Sequence, residues 1–278
     1  TAGRPRRVRL PLSLQIKNQG MKRMTNILLA VLAVTSCTVK EDRTDCPCWL
    51  EMTVKDNTQL CRSMTFTAWT TDKVKEEEVD LTRYTETYET TVPRDIVTTC
   101  LYSGITRGET RGSEYHIAKG QDADSLYSCS GVVDCTGETA RTTVVLKKNF
   151  ARVFLKMTAP EGDGYPYRII VRSDVSGMDL ITGRPINGQF EHQLRLDSQH
   201  QTVFSLPRQS AASMSLVMEL YRGDRLISSI PLGEQIALMQ YDWQEANLKD
   251  IYLGVDYAEA TVEISIQGWK SDEFEIII

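Results

Sequence analysis

Apolar and polar residues alternate with a period of two along most of this chain. "WLEMTV" (49–54) and "SMTFTAWT" (63–70) each put every second side chain on one face, Met64, Phe66 and Ala68 together in the second. "RYTETYETTV" (83–92), "IVTTCLY" (96–102), "TTVVLKK" (142–148), "ARVFLKM" (151–157), "YRIIVRS" (167–173) and "QTVFSL" (201–206) continue the series. It runs on through "SLVMELY" (215–221), "RLISSIPL" (225–232), "LKDIYLGVDY" (248–257), "ATVEISIQGW" (260–269) and "EFEIII" (273–278). Period-two alternation is the strand signature, and Thr, Val, Ile and Tyr suit a pleated, half-buried surface. Turn chemistry separates the segments at "EGDGYP" (161–166), "NG" (187–188) and "RGD" (222–224). Only "KVKEEEVDL" (73–81) reads as a short helix, its charges forming a solvated face. Many short strands without a sustained helical period predict an all-β chain built of sandwiches.

The N-terminal region breaks this pattern. Lys22 and Arg23 precede an apolar run, Ile27 to Val34, which shrinks to small residues before Cys37. A basic flank, a short apolar core and a small-residue end are the layout of a secretory signal. The run is too short to span a bilayer, which takes about 20 apolar residues. "VTSC" resembles the bacterial lipobox, which implies diacylation of Cys37 and cleavage before it. Two or three acyl chains anchor durably, at about 0.8 kcal/mol per buried CH₂. Residues 1–20 precede both Met21 and Met24 and are read as an upstream extension, with 21–36 as the signal.

Cleavage before Cys37 removes seven basic residues (Arg4, Arg6, Arg7, Arg9, Lys17, Lys22, Arg23) and no acid. Of the 32 Lys+Arg, 25 remain against 37 Asp+Glu, a formal charge of −12. That balance gives no basic face for nucleic acid. Beyond Cys37 stand six cysteines: Cys46, Cys48, Cys61, Cys100, Cys129 and Cys135. An even number confined to one half of an exported chain predicts disulfides there, with 15 possible connectivities. Cys129 and Cys135 flank "SGVVD" and could close a small loop, whereas Cys46 and Cys48 share one side of any extended strand. The cysteines end just before Thr142–Lys147, which places a domain break there: a tether over 37–48, an N-terminal sandwich over 49–143 and a C-terminal one over 144–278.

Chemistry is sparse. The sequence holds no GxSxG, P-loop, GxGxxG or HExxH pattern, and no catalytic residue, cofactor or metal site is assigned. Cys46-Pro47-Cys48 with Cys61 lacks the CxxC spacing or the histidine that structural zinc favours. Asp122 and Asp124 in "QDADSLY" lack the glycine and further acids of a calcium loop. His116, His192 and His200 are scattered, and Trp49, Trp69, Trp243 and Trp269 read as sandwich core.

One stretch does carry a resemblance. "CTVKEDRTDCPCWLEM", through Cys37, Arg43, Asp45, Cys46, Pro47 and Leu50, resembles the opening of the fimbrillin-associated anchor proteins of Bacteroidales pili. "LKKNFARVFLKM" (146–157) and "VEISIQGWKSDEFEI" (262–276) are similar to the start of the second domain and the closing strands of that family. The resemblance implies two tandem transthyretin-like Greek-key β-sandwich domains behind a lipidated tether. It also implies a surface-exposed place on the outer membrane at the base of a fimbrium, a role in limiting fimbrial length, and no catalysis. The implied partner is the fimbrial shaft subunit, fimbrillin, bound by strand addition. The candidate contacts are Val262, Ile264, Ile266, Phe274, Ile276 and Ile278, an apolar alternating terminus that would be an aggregation risk as a bare edge. Both terminal strands could instead simply complete the second sheet. The alternative functions are a surface glycan-binding lipoprotein and an accessory or tip fimbrial adhesin.

Overall fold

The computed structural model describes residues 46–55, 63–80, 87–158, 167–210, 214–256 and 261–267, with backbone alone for 73–74 and 261–267. The described part is two sandwiches in series.

In the first, β1 (Cys48–Lys55) lies between antiparallel β4 (Thr87–Val92) and parallel β9 (Thr139–Val145). Its alternation is strict: Cys48, Leu50, Met52 and Val54 point inward. The facing sheet runs β10 (Lys147–Lys148), β8 (Tyr127–Asp134), β5 (Ile96–Ser103), β2 (Ser63–Trp69), β3 (Lys73–Asp80). Phe66, Val97 and Leu101 meet the β1 face in one core. On β2 and β5 the opposite face is buried too, through Trp69, Cys100 and Tyr102, so the apolar run in "TTCLY" is nearly continuous.

The second sandwich repeats the arrangement. β11 (Phe150–Thr158) lies between antiparallel β14 (Gln201–Pro207) and parallel β17 (Asp250–Asp256), with β18 (Thr261–Gln267) beyond β17. The facing sheet runs β16 (Arg225–Ile230), β15 (Val217–Arg222), β12 (Arg168–Asp179), β7 (Glu114–His116), β6 (Glu109–Arg111), and β13 (Pro185–Leu194) also pairs with β12. The β6–β7 hairpin lies in sequence between β5 and β8 of the first sandwich. It crosses over to extend this sheet, Gly177 pairing with His116 and Met178 with Tyr115.

Three local expectations change. Residues 73–80 form edge strand β3, not a helix. Two valines five apart make no apolar helical face, whereas period two buries Val79 beside Met64. Lys75 and Glu77 both bond Thr90 Oγ1 across the sandwich, Thr90 donating to Glu77 at 2.6 Å. Charge on an edge strand also deters unwanted pairing. "NG" (187–188) is not a turn but lies inside β13, where a Cβ on Gly188 would sit 2.1 Å from Ser176 Oγ. The reversal comes earlier, where Asp179 Oδ1 accepts from Thr182 N at 2.6 Å and Gly183 takes φ 69°. Finally, the strand expected over 225–232 stops at Ile230, and Leu232–Leu238 forms helix α1, which buries Leu232 and Ile236.

The crossing hairpin depends on Gly177, where a Cβ would lie 2.0 Å from Tyr115 O. Gly177→Ala is expected to cost about 2 kcal/mol through overpacking. At Gly137 the nearest atom to a new Cβ is 3.7 Å away, so Gly137→Ala is expected to stay within about 0.5 kcal/mol. Chemical denaturation of the two variants checks the contrast, and equal midpoints would refute it.

Candidate assembly site

Three features stand out: the entry into β1, two sheet edges, and the polar contacts that fix the two sandwiches to each other. At the entry, Cys46 and Pro47 are exposed and Cys48 is buried. Trp49 faces outward, 42% exposed, and so is not core, whereas Trp69 and Trp243 are buried.

Among the described residues β9 has no partner on the side away from β1, and β18 none on the side away from β17. A shallow cleft opens beside β9, lined by Met52, Leu101, Cys129, Gly131, Thr142 and Val144. On the rim of the facing sheet Val132 is 69% exposed. β18 is already a member of its sheet: Val262, Ile264 and Ile266 are the register partners of the core residues Val255, Leu253 and Ile251. Phe274, Ile276 and Ile278 lie outside the described residues, as do Cys37, Cys61 and Trp269.

Among the described residues Cys46, Cys48, Cys100, Cys129 and Cys135 carry no S–S bond in this structure. Cys129 and Cys135 cannot close a small loop. They are six residues apart along and just beyond β8, about 20 Å in an extended strand, against the roughly 7 Å limit between the Cα atoms of a disulfide. Cys100 and Cys129 occupy opposite faces of one sheet, since Leu101 is the register partner of Cys129 and Cys100 that of Ser130.

At the junction two carboxylates gather donors from several segments. Asp124 is 2% exposed and accepts from Gly108 N (2.8 Å), Thr106 Oγ1 (2.8 Å) and N (3.2 Å), Arg107 N (3.1 Å) and Tyr115 OH (3.1 Å). Arg107 spans to Asp122 at 2.5 Å, and Asp122 accepts from Ser205 N at 3.0 Å. Burial disfavours the Asp124 carboxylate, but the Gly108, Thr106 and Arg107 donors outweigh it and hold its pKa below the usual value. Burial raises the Tyr115 phenol. No motif marks this knot, because Arg107, Tyr115 and Asp124 meet only through the fold. Among the described residues no three His, Cys, Asp or Glu side chains converge to hold a metal ion, and no helix is long and apolar enough to cross a membrane.

No family model matches the chain, and no curated protein matches it in sequence. Solved structures do match. The fimbrial anchor protein Mfa2 from Porphyromonas gingivalis superposes with a TM-score of 0.58 at 12% identity, covering 81% of this chain and 98% of that one. A candidate polysaccharide-binding protein from Bacteroides thetaiotaomicron gives 0.59 at 9%, covering 81% and 97%. A candidate adhesin from Bacteroides ovatus gives 0.56 at 10%, covering 81% and 95%. The chain therefore shares the two-sandwich fold of a fimbrial anchor protein, as the resemblance implied.

Replacing Asp124 strands five donors, and Asp124→Ala is expected to lose about 3 kcal/mol of stability. A carboxylate with a depressed folded pKa contributes stability above its unfolded pKa, near 4, and loses it as pH falls through the folded value. Wild-type stability should therefore decline below about pH 4 more steeply than that of Asp124→Asn, by melting across pH 2–6. Parallel declines would rule out the assigned role.

Proposed function

We propose that this protein is a surface-exposed outer-membrane lipoprotein, acylated on Cys37, that holds the base of a fimbrium to the cell and limits its length. The observation that carries the reading is the match to a fimbrial anchor protein over nearly all of that protein's chain. It joins a lipobox-like cysteine eleven residues before the first strand. Residues 37–48 act as the tether, and the partner is a fimbrial shaft subunit. β9 and β18 are the edges at which a partner strand can add, through main-chain hydrogen bonds with alternate side chains seated in pockets. A cleft lined in part by Thr142 and Val144 of β9 lies beside that edge.

A second reading, a glycan-binding or accessory adhesin, is favoured by the polysaccharide-binding and adhesin neighbours and by exposed Trp49. Palmitate labelling of cells expressing wild type or Cys37→Ala separates the two. The anchor reading expects label on wild type alone and fimbriae shed into the medium by the variant. Label with fimbriae still attached favours the adhesin, and no label removes the lipoprotein.

Deletion of residues 271–278 tests the terminal contacts. Retention of fimbriae on the cell is expected to fall at least tenfold if Phe274, Ile276 and Ile278 contact the shaft. Unchanged retention assigns those residues to the protein's own sheet.

A further inference from the structure

Cys48 and Cys135 are fully buried members of one core cluster in the first sandwich, and Cys48 is a neighbouring group that acts on the Cys135 thiol. Ordered backbone holds both. Trp49 N donates to Glu138 O at 2.8 Å, next to Cys48, and Cys135 N donates to Asp95 O at 2.9 Å. The other described cysteines do not compete: Cys46 is exposed, Cys100 faces the junction core across the sheet, and Cys129 is at the far end of β8. The pair also sits at a telling place. Cys48 is the first residue of β1, where the tether enters the fold, and Cys135 lies in the turn that joins β8 to β9.

We infer that Cys48 and Cys135 form a disulfide that fastens the entry of the tether covalently to the β8–β9 turn. The inference rests on the export reading above, because an oxidising compartment is where such bonds persist. One cysteine thiolate attacks the disulfide of a thiol–disulfide oxidoreductase and forms a mixed disulfide. The second thiolate then attacks the sulfur on this chain and displaces the reduced oxidant. Two protons and two electrons leave, and one S–S bond forms. Burial pushes the Cys135 thiol up to about 12, so thiolate is scarce once the core is packed. The bond therefore closes during folding, before the turn docks. A load applied at Cys37 then reaches the β8–β9 turn through a covalent bond as well as through the hydrogen bonds of β1.

The test uses the full chain, denatured, reduced and refolded in a mixture of reduced and oxidised glutathione, with free thiols then alkylated. A protease that cuts before aspartate separates Cys129 from Cys135 at Asp134, and a Cys46→Ser variant leaves Cys48 as the sole cysteine of its peptide. A Cys48–Cys135 linked peptide in wild type and in Cys46→Ser, with Cys100 and Cys129 alkylated, is the expected result. Alkylated Cys48 and Cys135, or either linked elsewhere, overturns the inference. The same digest on the membrane fraction of palmitate-labelled cells separates this inference from the anchor reading. Lipid label with both thiols alkylated defeats the disulfide alone. The linked peptide after refolding, with no lipid label in cells, defeats the anchor reading alone.

Discussion

The relation between the two sandwiches depends on the buried cations where the chain passes from one to the other. Lys148 is 5% exposed and pairs with Asp250; burial lowers its pKa and the carboxylate pulls the other way. Arg208, 8% exposed, donates to Trp243 O, Glu245 O and Asn149 Oδ1. Asn149 in turn donates to Ser128 Oγ and, through its backbone, to Leu126 O in the first sandwich. An unpaired buried cation costs several kcal/mol, so these bonds tolerate little relative movement. The apolar contact of Trp69, Tyr102, Tyr115 and Met178 closes the same joint from another side. Both devices resist hinging between the sandwiches.

The two halves use one topology without a shared sequence. β1 with β4 and β9, and β11 with β14 and β17, are the same three-strand set: a first strand flanked by one antiparallel and one parallel neighbour. The difference is informative. β18 covers β17, while among the described residues nothing covers β9. An edge strand left open presents unpaired N–H and C=O groups, and here it lies in the first of the two sandwiches.

Most strands were legible because burial on one face imposes alternation, as in "WLEMTV" and "LKDIYLGVDY". What escaped depended on distant partners. Thr90 makes a strand of the charged run 73–80, and Ser176 packs so close that Gly188 serves the strand rather than a turn. The chain crossing at β6–β7 has no local signal, and Gly177 shows its purpose only beside Tyr115. Cysteine number was legible and cysteine geometry was not. Spacing brought Cys129 and Cys135 together, whereas the extended strand β8 separates them and the fold buries Cys135 in one core with Cys48.

The sequence carries no GxSxG, P-loop, GxGxxG or HExxH pattern, and the kind of function proposed needs none. Strand addition draws its affinity from main-chain groups, which every residue but proline supplies. It asks of the side chains only alternation and a cleft of suitable size. Sequence can then drift far while the fold persists, as a TM-score of 0.58 at 12% identity illustrates. What cannot drift so freely are the points where the chain meets itself under constraint: Asp124 with its five donors, Arg208 across the joint, and Gly177 beneath the crossing hairpin. On the proposed reading the specific side chains hold the scaffold, and the backbone edges offer the contact.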